Sequence, residues 1–290
     1  LYSIWGAGAA DIWAVGRFGI IVHWDGSSWR MIRSGTFSSL TAVWGFGSDD
    51  VWAVGGGGII LHWDGVAWEP VATDSAEALT GVWGAGRTDV WAVGHGGTTL
   101  HFDGASWSTS LPLATEDFLG VSGSSASDAY AVGTGRTIFH WQGTHWVEMA
   151  VGSIDMKQGV WLSGPSDVWI AGYSGQAIHW NGSRWDTLDT GNVQPLHSFW
   201  GTGPRDVWAV GRSGTIVHWD GEAWVDETRA LDGNCTNVWA SGPDDVRVFV
   251  SGSRPYCRTG GEWAVESASV PFAVADVWGS GPSDQWVVGA

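Results

Sequence analysis

One stretch of the sequence decides the fold: Trp200-Gly-Thr-Gly-Pro-Arg-Asp-Val-Trp-Ala-Val-Gly-Arg-Ser-Gly-Thr-Ile-Val-His-Trp-Asp-Gly-Glu-Ala-Trp224. Its opening Trp recurs every 39 residues, with Ser122 in its place once. The seven tryptophans at this position are Trp5, Trp44, Trp83, Trp161, Trp200, Trp239 and Trp278. A fixed period of this length, without insertion or deletion, indicates a repeat architecture. We number repeat positions from this Trp as position 0.

Each repeat contains four short apolar runs separated by turn signals, among them Gly-Arg-Ser-Gly and Asp-Gly. Such runs are typical of β-strands, and Asp-Gly is a strong hairpin signal. No window has a helical period, and the frequent glycines would weaken a helix. One small sheet cannot bury both of its faces, so the repeats must stack. We therefore predict an all-β fold, a β-propeller of four-stranded antiparallel blades.

The array predicts a single β-propeller domain over residues 1–290. Its units are 1–39, 40–78, 79–117, 118–156, 157–195, 196–234 and 235–273, with a half repeat at 274–290. The half repeat contains the first two strands of an eighth unit, which predicts eight blades with the last one incomplete. The alternative is a seven-bladed ring with these residues displaced. With eight blades, residues 285–289 would present an open sheet edge to a strand donor or a neighbouring chain.

Tight turns would set Trp208 opposite both Trp200 and Val217, and Val217 opposite Trp224. These four side chains would form one row on one blade face, with His218 on the other face. All 25 tryptophans fall on four repeat positions. Packing between blades is therefore their expected role, because a buried Trp removes a large apolar area from water.

The recurring motif Asp-Val-Trp-Ala-Val-Gly-x-x-Gly-x-Ile-x-His-Trp-Asp-Gly-x-x-Trp resembles the Trp-rich propeller repeats of secreted bacterial proteins. It is also similar, more distantly, to tectonin repeats, which share a Val-Trp, a Gly-x-Ile step and a closing Trp. The resemblance covers the whole chain and implies the propeller fold. Tectonin-type propellers are often lectins, so the resemblance also implies sugar binding as one function to consider.

The composition restricts the partners. A net charge of −17, from 13 basic and 30 acidic residues, argues against binding to nucleic acid or anionic membranes. No apolar run approaches the length of a membrane span. An acidic chain rich in Gly and Trp favours an extracellular, cell-surface or periplasmic location. We expect Cys235 and Cys257 to be unbonded, because the predicted register separates them by more than a disulfide spans.

Two polar residue types recur in register. Position 6 is always Asp: Asp11, Asp50, Asp89, Asp128, Asp167, Asp206, Asp245 and Asp284. Position 18 is His in six repeats: His23, His62, His101, His140, His179 and His218. Each member lies on a different blade, so neither set converges as calcium or zinc ligation requires. We expect structural roles, the Asp accepting turn N–H groups and the His bonded to a turn Asp or a carbonyl. We predict no metal and no cofactor.

The apices of the turns between second and third strands vary from repeat to repeat. They carry exposed cationic and aromatic groups, typical of binding hot spots: Arg17, Phe18, His95, Tyr173 and Arg212. We therefore predict a non-catalytic binding or adhesion propeller that recognises a glycan or a protein at this rim. A propeller enzyme (a quinone-dependent dehydrogenase or a glycan-cleaving enzyme) and a structural subunit of an extracellular assembly are the alternatives. No catalytic residues stand out from the repeat.

Overall fold

A computed structural model of the chain describes residues 1–110, 115–134, 137–150, 160–171, 175–229, 231, 233–252, 254–267 and 269–290. Within these residues, thirty β-strands form eight antiparallel sheets. The strands of blades 1 to 4 are β1 (Ser3–Gly8), β2 (Asp11–Val15), β3 (Ile21–Trp24), β4 (Trp29–Ile32), β5 (Leu40–Gly47), β6 (Asp50–Gly55), β7 (Ile60–Trp63), β8 (Trp68–Val71), β9 (Leu79–Gly86), β10 (Asp89–Gly94), β11 (Thr99–Phe102), β12 (Trp107–Thr109), β13 (Phe118–Ser125), β14 (Asp128–Gly133), β15 (Thr137–Trp141) and β16 (Trp146–Ala150).

The strands of blades 5 to 8 are β17 (Val160–Gly164), β18 (Asp167–Ala171), β19 (Gln176–Trp180), β20 (Trp185–Asp189), β21 (Leu196–Gly203), β22 (Asp206–Gly211), β23 (Ile216–Trp219), β24 (Trp224–Asp226), β25 (Cys235–Gly242), β26 (Asp245–Val250), β27 (Tyr256–Thr259), β28 (Glu262–Val265), β29 (Val274–Gly281) and β30 (Asp284–Gly289). Short 3-10 turns join the second and third strands at Arg17–Gly19, Gly56–Gly58, His95–Gly97 and Arg212–Gly214. No helix in the described part is long and apolar enough to cross a membrane.

The prediction of eight blades is confirmed. Seven sheets have four strands in sequence order, and β29 pairs with β30 as a two-stranded eighth sheet. β29 contacts both β25 and β1, so the half blade lies in the ring between blades 7 and 1. The seven-bladed alternative, with residues 274–290 displaced, is wrong.

The predicted register is right at the first hairpin and wrong at the next two. Trp200 lies opposite Trp208, as predicted. Trp208, however, lies opposite His218 and not Val217. Trp224 lies opposite Trp219 and not Val217. Directly opposed residues share a face, so Trp200, Trp208 and His218 lie on one face while Trp219 and Trp224 lie on the other.

Turn length explains both errors. The turn after β22 spans residues 211–215, because the Gly211 N–H donates to the Thr215 carbonyl at 3.0 Å. The Asp-Gly turn is a four-residue loop, in which the Asp220 carboxylate accepts the N–H groups of Ala223 and Glu222 at 2.9 and 2.8 Å. These bonds hold the pKa of the Asp220 carboxyl below its ordinary value. Because both turns are longer than expected, the later residues of the repeat lie opposite different partners from those predicted.

The core lies between blades, and tryptophans reach it from both sides. At the contact of blades 1 and 2, Trp13 is fully buried and stacks on His23 of its own blade at 3.9 Å between centroids. Its other contacts are Trp63 and Trp68 of the next blade, at 4.9 and 5.4 Å. The aromatic packing role expected for Trp therefore holds, although it uses both blade faces and not a single row.

In blade 6 the glycine at position 1, Gly201, makes room for the inner tryptophan of the preceding blade, whereas Leu162 and Ala240 stand at this position in blades 5 and 7. A Cβ on Gly201 would lie 2.5 Å from the Trp161 ring and 2.8 Å from the Asp206 carbonyl oxygen. The backbone carbonyl cannot move without disturbing its strand. Gly203, two residues along, has no atom within 4 Å of the same added group.

We expect Gly201→Ala to lower the free energy of unfolding by about 1–3 kcal/mol, the usual cost of overpacking. Gly203→Ala is the matched control and leaves stability nearly unchanged. Urea denaturation followed by Trp fluorescence measures both. Equal stability of the two variants would contradict the close approach of neighbouring blades.

The two cysteines are free, as predicted. Cys235 is buried, and burial raises the pKa of its thiol to about 12. Cys257 is half-buried and donates to the Ala264 carbonyl at 3.5 Å. We expect one thiol to react quickly with a disulfide reagent in the native protein and two after denaturation. Cys257→Ser should abolish the fast reaction, and a persisting fast thiol in this variant would show that Cys235 is accessible.

Candidate functional site

The structure joins the two recurring polar residues in each of six blades. Every position-18 His places Nε2 close to the position-6 Asp of its own blade. The pairs are His23–Asp11 (2.6 Å), His62–Asp50 (2.8 Å), His101–Asp89 (3.0 Å), His140–Asp128 (2.7 Å), His179–Asp167 (2.7 Å) and His218–Asp206 (2.7 Å). The hydrogen bonds of these Asp carboxylates go to side chains, and not to turn N–H groups as expected. Asp206, for example, also accepts the Trp208 Nε1–H at 3.0 Å and the Thr202 hydroxyl.

One oxygen of each of these six carboxylates lies on the His of its own blade, and Asp50 also lies 3.4 Å from Arg87 of blade 3. Burial alone would raise the pKa of Asp206, but the bonds from His218 and Thr202 outweigh it and lower the pKa. In the described part of the chain no three His, Cys, Asp or Glu side chains are placed to hold a metal ion. The arrangement ties the second strand to the third, and we find no open coordination site in it.

Blade 7 replaces this aromatic arrangement with ions. Arg247 stands at the Trp208 position and pairs with Asp245 at 2.9 Å and Glu266 at 2.8 Å. Arg258 stands at the Trp219 position and lies 5.4 Å from the centroid of Trp208 in blade 6. The substitutions are therefore satisfied inside the fold, by ion pairs and a cation–π contact.

The predicted rim residues fall on turns of separate blades. Arg17 and Phe18 lie on blade 1, His95 on blade 3 and Arg212 on blade 6, so the ring does not bring them together. Tyr173 lies outside the described residues. The Arg17 Nε–H donates to the Tyr2 hydroxyl at 2.6 Å on the exposed surface. The turn of blade 1 borders a cavity through Phe18.

Phe18, Met31 and Phe37 border an open groove of about 570 Å³ on blade 1, which we call the blade 1 groove. Their side chains are 71%, 74% and 90% exposed. Its remaining lining residues are Gly19, Ile20, Ile32, Arg33, Ser34, Gly35 and Thr36. Three large apolar side chains exposed around one groove are unusual for a solvated surface and typical of a binding site.

The wall of the groove is held by local bonds. The Ser34 hydroxyl donates to the Thr36 carbonyl at 3.2 Å, and the Thr36 N–H donates back to it at 3.3 Å. Gly19 packs so closely on the Thr36 carbonyl that a Cβ would lie 2.2 Å from its oxygen. The turn after β2 and the segment after β4 are therefore fixed against each other before any ligand arrives.

The groove is cationic in an acidic molecule. Repeat 1 carries Arg17, Arg30 and Arg33 against Asp11 and Asp25, so it is the one repeat with a positive formal charge. Arg30 pairs with Asp25 at 2.9 Å. Arg33 is exposed and makes no hydrogen bond or ion pair within the described residues. A ligand carboxylate would meet this guanidinium without displacing a protein partner.

Sequence reasoning found Phe18 and missed Met31 and Phe37. The signal was present in the alignment of the repeats. The other repeats have Pro, Thr, Glu, Thr, Asp and Val at the Met31 position, and Ala, Thr, Ile, Val, Asp and Pro at the Phe37 position. A large apolar residue at a position that is otherwise mostly small or polar marks both.

A second cavity, of about 470 Å³, is lined by first strands around the ring and is therefore axial. Its lining includes Trp44, Trp83, Trp161 and Trp200, with Asp276 as its one ionisable residue. The Asp276 carboxylate accepts the Ile4 N–H at 3.0 Å and so joins blade 8 to blade 1. Burial raises the pKa of Asp276 to about 6, against the opposing effect of its backbone bonds.

The raised pKa has a measurable consequence for stability. Asp276 binds its proton more tightly in the folded state, so its contribution to stability is fully present below about pH 4 and is lost as pH rises through about 6. We expect Asp276→Asn to raise the free energy of unfolding at pH 7.5 by on the order of 1 kcal/mol, and by little at pH 4.

Thermal denaturation at both pH values measures the difference between wild type and variant. Asp64→Asn is the control, because the Ala67 and Val66 amides lower the pKa of that carboxyl. The control should not be stabilised at pH 7.5. A constant difference between Asp276→Asn and wild type across this pH range would contradict the raised pKa.

No protein-family model matches the sequence, and comparison with curated proteins gives no significant match. Solved structures do match. The computationally designed Ika8 protein aligns with a TM-score of 0.81 at 14% identity, covering 99% of this chain and 96% of that chain. The C-terminal WD40 domain of Sif2 gives 0.77 at 12% identity, with 95% and 88% covered. YCF48 bound to D1 peptide gives 0.66 at 16% identity, with 90% and 91% covered. At these identities the matches show the fold, which is that of WD40 and other β-propellers.

Proposed function

We propose that the chain is a non-catalytic binding propeller and that its ligand is a protein segment held in the blade 1 groove. The observation that carries this proposal is the conformation of Phe18. Its φ is +56°, in the left-handed region, and its ring is 71% exposed. The equivalent residues Gly57, Gly96 and Ser213 adopt the same conformation, which only the two glycines reach at no steric cost. A bulky residue held there costs about 1 kcal/mol and brings no burial in return, which is typical of a functional position.

The lining of the groove favours an apolar side chain next to a carboxylate. Phe18, Phe37 and the adaptable Met31 offer aromatic and thioether surface, on which large apolar side chains bind. Arg33 lines this surface, and Arg17 precedes Phe18 in the turn, so both favour an acidic neighbour on the ligand. YCF48, a propeller of the same fold, was solved with a D1 peptide bound. A peptide with an aromatic or aliphatic anchor beside Asp, Glu or a chain terminus matches the groove.

Glycan recognition, as in the tectonin-type propellers that the repeat resembles, is the competing proposal. It would place the ligand on the same rim, where hydrogen-bonding groups are few beside Arg17 and Arg33. We favour a peptide because the exposed groups of the groove are apolar and cationic. We also propose an extracellular, cell-surface or periplasmic location, from the acidic composition with little Lys.

The test is selection of binders from a displayed library of random 12-residue peptides on the protein of residues 1–290, with a glycan array in parallel. The decisive variant combines Phe18→Gly, Met31→Thr and Phe37→Ala, residues that stand at these positions in other repeats as Gly57, Thr109 and Ala76. It should fold normally and lose at least tenfold in affinity for the selected peptides, about 1.4 kcal/mol.

Val66→Ala is the matched control, because Val66 is 83% exposed on blade 2 and lies outside the groove. Arg33→Glu should weaken the binding of acidic peptides and spare neutral ones. Selected peptides that bind the triple variant as tightly as wild type would exclude the groove. Glycan binding that is lost in the triple variant would favour the competing proposal.

A further inference from the structure

The cavity on the ring axis, which we call the axial cavity, carries a negative charge that the fold does not require. Its volume is about 470 Å³, and Trp44, Trp83, Trp161, Trp200 and Asp276 are among its lining residues. No Lys or Arg lines it, and Asp276 forms no ion pair with any other described residue. We infer that this cavity binds a small organic cation, a quaternary ammonium compound whose methylated nitrogen lies among the indole rings with Asp276 as its counter-charge.

Uncharged side chains do at other seams what Asp276 does between blades 8 and 1. Asp276 joins the two first strands there by accepting the Ile4 N–H at 3.0 Å. The Thr41 hydroxyl donates to a first-strand carbonyl of blade 3 at 2.6 Å, and the Asn237 amide donates to one of blade 8 at 3.3 Å. A neutral side chain would therefore close the ring as well, and the carboxylate adds only a charge.

The equivalent position of every other repeat is uncharged. Two residues before position 0, the other units have Ser3, Ala42, Gly81, Gly120, Gly159, Ser198 and Asn237. Burial raises the pKa of Asp276 to about 6, so the carboxylate is still mostly ionised at neutral pH. An ionised carboxylate without a positive partner is costly to bury. A cationic ligand would supply that partner, and the acidic surroundings would attract it.

The indole rings favour a cation over an anion or a sugar. The face of an aromatic ring is negative, and Trp binds cations best among the aromatic residues. The four tryptophans come from blades 2, 3, 5 and 6, so they surround the axis on several sides. Trp44, Trp161 and Trp200 are only half-buried, whereas Trp208 of a second strand is fully buried. Part of the inner indole surface is therefore available to a ligand.

The hydrogen bonds of Asp276 favour a quaternary ammonium over a primary amine or a metal ion. One carboxylate oxygen accepts the Ile4 N–H at 3.0 Å, and the other accepts the Val277 N–H at 2.9 Å. A primary ammonium brings three donors that need acceptors, and a metal ion needs several converging oxygens. A methylated nitrogen needs neither, because charge and aromatic surface hold it.

The ligand has room for a polar group beside its cation. Ser198 and Asn237 line the axial cavity and also a second axial cavity of about 440 Å³, so the two adjoin. Their side chains offer hydrogen-bonding groups on the side of the ring where Asp276 lies. The combined space exceeds what a bare ammonium group fills, and a quaternary ammonium compound with a hydroxyl or aromatic substituent matches it.

The test is isothermal titration calorimetry of the protein of residues 1–290 with choline and with benzyltrimethylammonium. The neutral probe is 3,3-dimethylbutan-1-ol, which has the shape of choline with carbon in place of nitrogen. We expect saturable binding of both cations with a dissociation constant on the order of 100 µM, and binding of the alcohol that is about tenfold weaker. The melting temperature should rise with cation concentration.

Asp276→Asn is the decisive variant, because it removes the charge and is expected to be more stable than wild type at pH 7.5. It should bind both cations about tenfold more weakly and the alcohol equally well. Asp64→Asn is the matched control, since it removes the same charge from an exposed turn and should leave all affinities unchanged. Trp161→Phe keeps an aromatic ring of weaker cation affinity and should weaken the cations several-fold.

Binding at the axial cavity is separable from binding at the blade 1 groove. The triple variant of the groove should bind the cations like wild type, and Asp276→Asn should bind the groove peptides like wild type. Three results would overturn the inference. The first is no saturable binding of either cation at millimolar concentration. The second is equal affinity for choline and the alcohol, which would make the cavity a site for neutral apolar ligands. The third is unchanged cation affinity in Asp276→Asn, which would place the cation elsewhere.

Discussion

The ring depends on a recurring contact, in which an aromatic side chain of the second strand packs between the histidine of its own blade and aromatic side chains of the next blade. The form with two tryptophans of the next blade occurs at Trp13, Trp91 and Trp169. Trp13 illustrates it, with His23 stacked on one side and Trp63 and Trp68 on the other. A four-stranded sheet of such short strands is not stable alone, so this contact supplies the burial that folds each blade. It also fixes the position of the His, because stacking on Trp13 places Nε2 beside Asp11. One interaction thus sets both the apolar core and the recurring polar pair.

The contact joins the second strand of one blade to the third and fourth strands of the next. The same two parts must therefore meet where the last blade lies against the first. Blade 8 offers the first-strand and second-strand half, through Trp278 and Trp286, and blade 1 offers the complementary half, through Trp24 and Trp29. Closure is reinforced by Asp276, whose carboxylate crosses the seam to the Ile4 N–H despite the cost of its burial. The inner ring is therefore continuous through eight blades.

The sequence was sufficient for the architecture and insufficient for the details of the turns. A period of 39 residues without insertion, and four apolar runs in each repeat, predicted the blades and their number. The register beyond Trp208 was wrong because the Gly-Arg-Ser-Gly and Asp-Gly signals were assigned turns shorter than those that form. Local bonds such as those of the Asp220 carboxylate decide the turn length, and the dipeptide alone does not. At the candidate site Phe18 was found, while Met31 and Phe37 were missed, because their proximity to Phe18 depends on how the segment after β4 folds back.

A residue that departs from the repeat pattern indicates a function only when contacts within the fold do not compensate for the substitution. Blade 7 departs furthest in sequence, yet Arg247 and Arg258 find carboxylates and an aromatic face within the ring, so their role is structural. Blade 1 departs less, but Phe18 takes a conformation suited to glycine and its ring stays in solvent. A compensated substitution and an uncompensated one look alike in an alignment of the repeats. A side chain whose unfavourable conformation and solvent exposure are not offset by contacts within its own chain is a candidate for binding a partner. This physical difference directs attention to blade 1.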